Sequence, residues 1–214
     1  MKLFLDTADV SQIREAVSWG IIDGVTTNPS HISKTGRSFE SVSREILDLV
    51  DGPVSLETVS LTCSEIVDEG KRLAAIHPNV VVKVPLIKEG LKAVKRLSGE
   101  GIKTNVTLTF SPLQALLAAK CGATYISPFV GRLDAVGHRG IELVEQIKKI
   151  YLNYGFQTQV LAAAIRNPIH VLDAALAGAD VCTMSFDVMD ELYKHPLTDI
   201  GVELFLKDWG KIPR

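Results

Sequence analysis

Short apolar runs alternate along this chain with longer stretches in which apolar residues recur at three- and four-residue intervals. The first kind of pattern predicts buried strands and the second predicts amphipathic helices. Strands are expected at residues 3–6, 24–26, 54–57, 80–84, 103–107, 125–127, 158–163 and 181–184. Helices are expected between and after them, at 9–19, 39–50, 64–76, 89–98, 111–119, 140–151, 168–177 and 187–193. Pro112 follows Ser111, and Pro168 follows Asn167, so each proline falls at a helix start, where its missing N–H costs no intrahelical bond.

Eight strand–helix units without a compositional break predict an α/β fold, a closed (β/α)8 TIM barrel formed by residues 1–214 as one domain. Such barrels typically take about 250 residues, so this one must be economical. The competing arrangement, an open doubly wound sheet, is shorter but leaves two edges to cover. Residues 197–209 form a further helix-like stretch, expected either to cap the barrel or to cross to a neighbouring subunit.

Composition narrows the possible partners. Lys plus Arg number 23 against 25 Asp plus Glu, so no global field draws the chain to nucleic acid or to an anionic membrane. No run of about eighteen apolar residues crosses a bilayer, and the opening residues lack the pattern of a secretory signal. A cytoplasmic protein is expected. Cys63, Cys121 and Cys182 are too few and too scattered for a disulfide framework, and Cys121 and Cys182 read as buried thiols. His31, His77, His138, His170 and His195 stand apart and form no HExxH-type set. No dinucleotide or Walker fingerprint occurs, so neither metal nor cofactor is expected.

Lys83 is the conspicuous exception to the apolar pattern, since it interrupts Val80-Val81-Val82-Lys83-Val84. Burying an unpartnered ammonium costs several kcal/mol, so it either joins a buried ion pair or does chemistry as an amine nucleophile. In a barrel the strand C-termini surround one pocket. Asp6, Thr26, Asn28, Glu57, Lys83, Asn105, Thr107 and Ser127 all lie at or near such ends and are expected to converge. Glu57 and Thr107 beside an amine suit proton transfer and water handling, and Asp6 suits exchange with a substrate hydroxyl. Asp6 also has a plain role as a cap or turn carboxylate, and Glu57 would be ordinary if exposed at its strand end. Arg132 and Arg166 both follow strands, and two guanidiniums at one rim suit a phosphate.

Val25-Thr26-Thr27-Asn28-Pro29-Ser30, Val82-Lys83-Val84-Pro85, Thr104-Asn105-Val106-Thr107 and Ser127-Pro128-Phe129-Val130-Gly131-Arg132 together resemble the signatures of the small transaldolase family, which includes the fructose-6-phosphate aldolases. The resemblance implies a class I aldol mechanism without cofactor or metal. Lys83 matches the Schiff-base lysine, Asp6 the proton-transfer carboxylate, and Glu57 with Thr107 the pair that holds a catalytic water. Asn28 and Asn105 match residues holding the dihydroxyacetone unit, with Thr26 and Ser127 beside them. Arg132 and Arg166 match the phosphate-binding arginines.

The family's aldolases have tyrosine at Phe129 and glutamine at Glu57, so the resemblance is to the transaldolase branch. Transfer of a dihydroxyacetone unit between phosphorylated ketose and aldose substrates is the implied reaction, with fructose 6-phosphate cleavage as the alternative. Ala164 stands where larger transaldolases have a phosphate-contacting serine. The resemblance also implies a homo-oligomer, a pentamer or a decamer of paired pentamers, with helix 197–209 against a neighbour. A sugar-phosphate binding protein or a scaffold would use the same barrel without needing Lys83, Glu57, Thr107 and Asp6 in combination.

Overall fold

A computed structural model describes residues 1–213. Among them, β1 (Lys2–Asp6), α1 (Val10–Ser18), β2 (Gly24–Thr26), α2 (Pro29–Lys34), α3 (Phe39–Leu49), β3 (Val54–Glu57), α4 (Cys63–Ala74) and β4 (Val80–Pro85) form the first half. The second half holds α5 (Lys88–Gly99), β5 (Thr104–Thr109), α6 (Pro112–Lys120), β6 (Tyr125–Pro128), α7 (Val130–Asp134) and α8 (Gly140–Tyr154). It ends with β7 (Gln159–Ala162), α9 (Pro168–Leu176), β8 (Val181–Met184), α10 (Phe186–Glu191) and α11 (Pro196–Trp209). Each strand pairs in parallel with the next, and β8 returns to β1 through Lys2–Val181, Leu3–Cys182, Phe4–Thr183 and Leu5–Met184, closing the barrel. Closure removes the two edges that an open sheet would have left exposed.

Strand alternation divides the buried residues into two cores. One face of each strand packs outward against the helices in a large apolar cluster that includes Leu5, Val54, Leu56, Val82, Val84 and Ile126. The other face points into the barrel, where Phe4, Val81, Tyr125, Leu161 and Val181 pack as a smaller cluster with Phe4 edge-on to Tyr125. Two positions further along the same strands come Asp6, Lys83, Ser127, Ala163 and Thr183. The apolar plug therefore forms the floor of a polar layer at the C-terminal mouth. Burying a side chain such as Phe4 contributes about 1.5–3 kcal/mol. Gly24, paired with Phe4, makes room for it: a Cβ there would lie 2.7 Å from the ring and 2.6 Å from the Pro53 carbonyl.

The observed strands keep to the expected ones with shifts at their ends. β5 shows the largest change, because its register against β6 shifts between Val106 and Thr109 and Leu108 takes a left-handed φ of 60°. The helices α2 and α7 were not expected. They have six and five residues, too few for periodicity to register, and they are set by local signals such as the Asn28 cap followed by Pro29. Both begin at the C-terminal end of a strand and so form part of the mouth.

Ser111 makes a capping box with Gln114, and Asn167 caps α9, so the proline-led helices start where the sequence indicates. The terminal helix α11 differs from the others in burying none of its residues. Phe205 and Trp209 are 77% and 70% exposed. No helix among the described residues is long and apolar enough to cross a membrane.

Candidate active site

Parallel register brings the key charges together. Glu57 on β3 is paired with Lys83 on β4, and Lys83 in turn with Asn105 on β5. Lys83 is 6% exposed. Its Nζ donates to the Thr27 carbonyl at 3.0 Å and forms an ion pair with Glu57 Oε2 at 3.1 Å. The buried lysine thus has the partner its position demands, and that partner is also placed to exchange a proton with it. Removing one member would leave the other charged and uncompensated, which typically costs about 3–5 kcal/mol.

Asp6, from the adjoining side of the barrel, accepts from Thr26 Oγ1 at 2.9 Å, and Thr183 Oγ1 lies 2.6 Å from the same Thr26 hydroxyl. Asn28 caps α2: its Oδ1 accepts from the His31 backbone N–H at 2.9 Å, while its Nδ2 lies 3.2 Å from His31 Nδ1. That nitrogen also lies 3.6 Å from Asp6 Oδ1. Burial is the main influence pushing the His31 pKa below its ordinary value, Lys83 and Lys34 act the same way, and Asp6 opposes them.

Asn105 is fully buried, donates to Ser55 Oγ at 3.1 Å and accepts from Ser127 Oγ at 2.7 Å. Thr107, on the same face two residues later, is buried and its hydroxyl has no partner among the described residues. Buried hydroxyls are nearly always satisfied, so this one is available to a water or a substrate oxygen.

The loops that carry the two arginines, after β6 and β7, touch one another. Gly131 N donates to the Ala164 carbonyl at 3.1 Å, and an added Cβ on Gly131 would lie 2.3 Å from that oxygen and 2.7 Å from Arg166 Cγ. Only glycine allows so close an approach. Arg132, on α7, stacks over the Phe129 ring at 5.2 Å, and Phe129 is edge-on to Phe110 at 5.7 Å. Nearby carboxylates are taken up by other cations, Glu142 by Arg139 and Asp134 by His170, and among the described residues neither Arg132 nor Arg166 forms an ion pair.

A cavity of about 520 Å³ joins these groups. Asp6, Thr26, Asn28, Glu57, Lys83, Thr107, Ser127, Phe129, Arg132 and Arg166 all line it, together with Ala164. Asn105 does not reach the wall: it lies behind Ser127 and Ser55, which occupy its amide. His31, Lys34, Thr183 and Ser185 also line the cavity and were not anticipated. For His31 the signal was present in Asn28-Pro29, a helix start that necessarily places residue 31 over the capping side chain. Thr183 falls on the inward face two residues after Val181, which alternation alone would have identified.

The thiols take no part in this cavity. Cys63 and Cys182 are buried, and burial pushes the Cys182 pKa up to about 12. Cys121, half-buried, is raised by the same cause. Among the described residues no three His, Cys, Asp or Glu side chains are grouped to hold a metal ion.

The fold resembles that of inosine 5'-monophosphate dehydrogenase from Legionella pneumophila, with a TM-score of 0.60 over 88% of this chain and 58% of that one, at 15% identity; this likeness concerns the barrel alone. Sequence relatives are much nearer. A protein of Aquifex aeolicus (strain VF5) named a probable transaldolase is 63% identical across 100% of this chain and 98% of its own length. Another so named, from Dictyoglomus turgidum, is 62% identical across the whole of both chains. The family model for transaldolase/fructose-6-phosphate aldolase matches residues 3–212, and the chain belongs to that family.

Proposed function

We propose that this protein is a class I transaldolase that moves a dihydroxyacetone unit from sedoheptulose 7-phosphate to glyceraldehyde 3-phosphate, giving erythrose 4-phosphate and fructose 6-phosphate. The observation that carries the reading is the enclosed Lys83–Glu57 pair, 3.1 Å apart, opening onto the unpartnered Thr107 hydroxyl, with Asp6 and the two arginines on the same cavity.

Glu57 takes a proton from the Lys83 ammonium, and the free amine attacks the ketose C2 carbonyl. Loss of water gives the iminium. Asp6 then accepts the C4 hydroxyl proton, the C3–C4 bond breaks, and its electrons pass into the iminium to form an enamine. The aldose leaves as an aldehyde. A second aldose phosphate binds to Arg132 and Arg166, the enamine carbon attacks its carbonyl, and Asp6 returns the proton to the new hydroxyl. Finally, water held between Glu57 and Thr107 hydrolyses the imine. Ser127 and Asn28 face the donor's hydroxyls, and Asn105 acts from behind by fixing Ser127.

Phe129 favours transfer over simple cleavage. A phenyl ring offers no donor or acceptor to a water near the enamine, so premature protonation is disfavoured. Its stacking under Arg132 also ties it to the phosphate end. The reading is tested by product analysis with fructose 6-phosphate as donor. Sedoheptulose 7-phosphate is expected when erythrose 4-phosphate is supplied, with little free dihydroxyacetone. Abundant dihydroxyacetone regardless of acceptor would identify an aldolase.

Three free cysteines agree with a reducing compartment, and we place the protein in the cytoplasm. The unburied α11, with Leu204, Phe205 and Trp209 on its surface, supports a homo-oligomer in which this helix packs on a neighbour, as a pentamer or decamer.

A further inference from the structure

The proposed cycle loads Asp6 with a proton and requires that proton to stay in place until an acceptor aldehyde arrives. Asp6 Oδ1 accepts from Thr26 Oγ1, and the imidazole Nδ1 of His31 lies 3.6 Å from the same oxygen. Local backbone determines what that nitrogen presents. Asn28 Oδ1 is committed to the His31 backbone N–H as the helix cap, so the amide Nδ2 faces ring Nδ1 at 3.2 Å. An amide nitrogen donates and has no lone pair to offer. Nδ1 is therefore an acceptor, and the ring's single proton sits on Nε2.

A lone pair on Nδ1 opposes an ionised Asp6 and attracts a protonated one. We propose that His31 is a positioning residue for proton transfer, acting through Asp6: its Nδ1 accepts a hydrogen bond from the Asp6 carboxyl, in place of the one from Asn28 Nδ2, once that carboxyl has taken the C4 hydroxyl proton. This rests on the role given to Asp6 in the reaction above. No electron is gained or lost in the step. The proton leaves the C4 oxygen for the carboxylate, the C3–C4 electron pair enters the iminium, and the carboxyl O–H is held against Nδ1. Carbon–carbon bond formation reverses each movement. The device favours the state in which the enamine waits, which is the state that distinguishes transfer from cleavage.

The arrangement works while the imidazole is neutral. Burial keeps it so, lowering the pKa from 6.5, and among the charged groups facing the ring Lys83 from β4 and Lys34 from its own helix act in the same sense while Asp6 from β1 opposes. Glu57 from β3 lines the adjoining wall of this cavity, and Arg37 lines the neighbouring depression beyond the ring. As pH falls through the lowered pKa, Nδ1 gains a proton, the acceptor disappears, and the N–H instead holds Asp6 as a carboxylate. Turnover should fall on the acid side with a midpoint below 6.5.

The test compares pH profiles of kcat for the intact protein with His31→Leu and His31→Gln, alongside borohydride trapping of the Lys83 adduct. The helix cap uses the residue 31 backbone and survives both substitutions. Both variants are expected to trap substrate on Lys83 as the parent does, with KM within about twofold. The kcat of His31→Leu should drop about tenfold, toward the low end of what a proton-transfer group supplies, that of His31→Gln, whose amide oxygen still accepts, should drop less, and both should lose the acid-side fall. An unchanged kcat, or a lowered kcat that keeps the parent's acid limb, would overturn the proposal. Absence of an adduct in the parent itself would instead overturn the Schiff-base reading on which it rests.

Discussion

Lys83 and Glu57 each have a structural reason to be charged beside the other, and a chemical one. The ion pair satisfies the buried Lys83 and the partly buried Glu57 at 3.1 Å, while the same geometry gives the lysine a proton acceptor. Glu57→Gln keeps the shape and a hydrogen-bond acceptor but removes the base. It should lower kcat about 10²-fold, with imine formation becoming the slow step in single-turnover kinetics. On the proposed phosphate role, Arg132→Ala would remove charge-assisted contacts worth about 1.5–3 kcal/mol, so KM for phosphorylated aldoses should rise about 10–100-fold, measured against a non-phosphorylated aldehyde whose KM changes little. Phe129→Tyr would bring a hydroxyl into the cavity and should raise the share of free dihydroxyacetone in the products. Lys83, Glu57 and Arg132 were legible in the sequence because each is a charged side chain within or just past an apolar run, and Phe129 was legible only through the resemblance. The His31–Asp6 contact was not, because it is tertiary: it joins β1 to a six-residue helix that carries no periodic signal.

At the scale of elements, two backbone positions hold the mouth together. Gly131 lets the loop after β6 touch the loop after β7, and Gly131→Ala would press a Cβ against the Ala164 carbonyl at 2.3 Å. A destabilisation of about 1–3 kcal/mol is expected in thermal or denaturant unfolding, together with a weaker phosphate preference as the arginines separate. Ala164 itself has a left-handed φ of 56°. Ala164→Gly relieves that strain and should leave the melting temperature equal or higher, by up to about 1 kcal/mol of stability at the midpoint. Strands were legible because a barrel strand is buried on both faces and reads as an apolar run. The shift in β5 was not, since it arises from pairing with β6, and neither left-handed residue is a glycine that would have announced it.

For the molecule as a whole, counting eight strand–helix units led to the closed barrel, and the β1–β8 pairs complete it. The terminal helix was legible as a helix, but its apolar residues do not identify what they face. Since α11 buries none of them, Phe205→Glu with Trp209→Glu should reduce the assembled mass measured by light scattering while leaving the far-ultraviolet circular dichroism close to the parent's. An unchanged mass would show that α11 holds no subunits together. The central claim concerns the lysine, and it is tested most directly by reducing the protein with borohydride in the presence of fructose 6-phosphate and mapping the adduct by peptide mass spectrometry. A stable secondary amine confined to the peptide containing Lys83, and absent from Lys83→Met, is the predicted result. A folded, substrate-saturated protein that yields no adduct, or one on another lysine, would contradict the account.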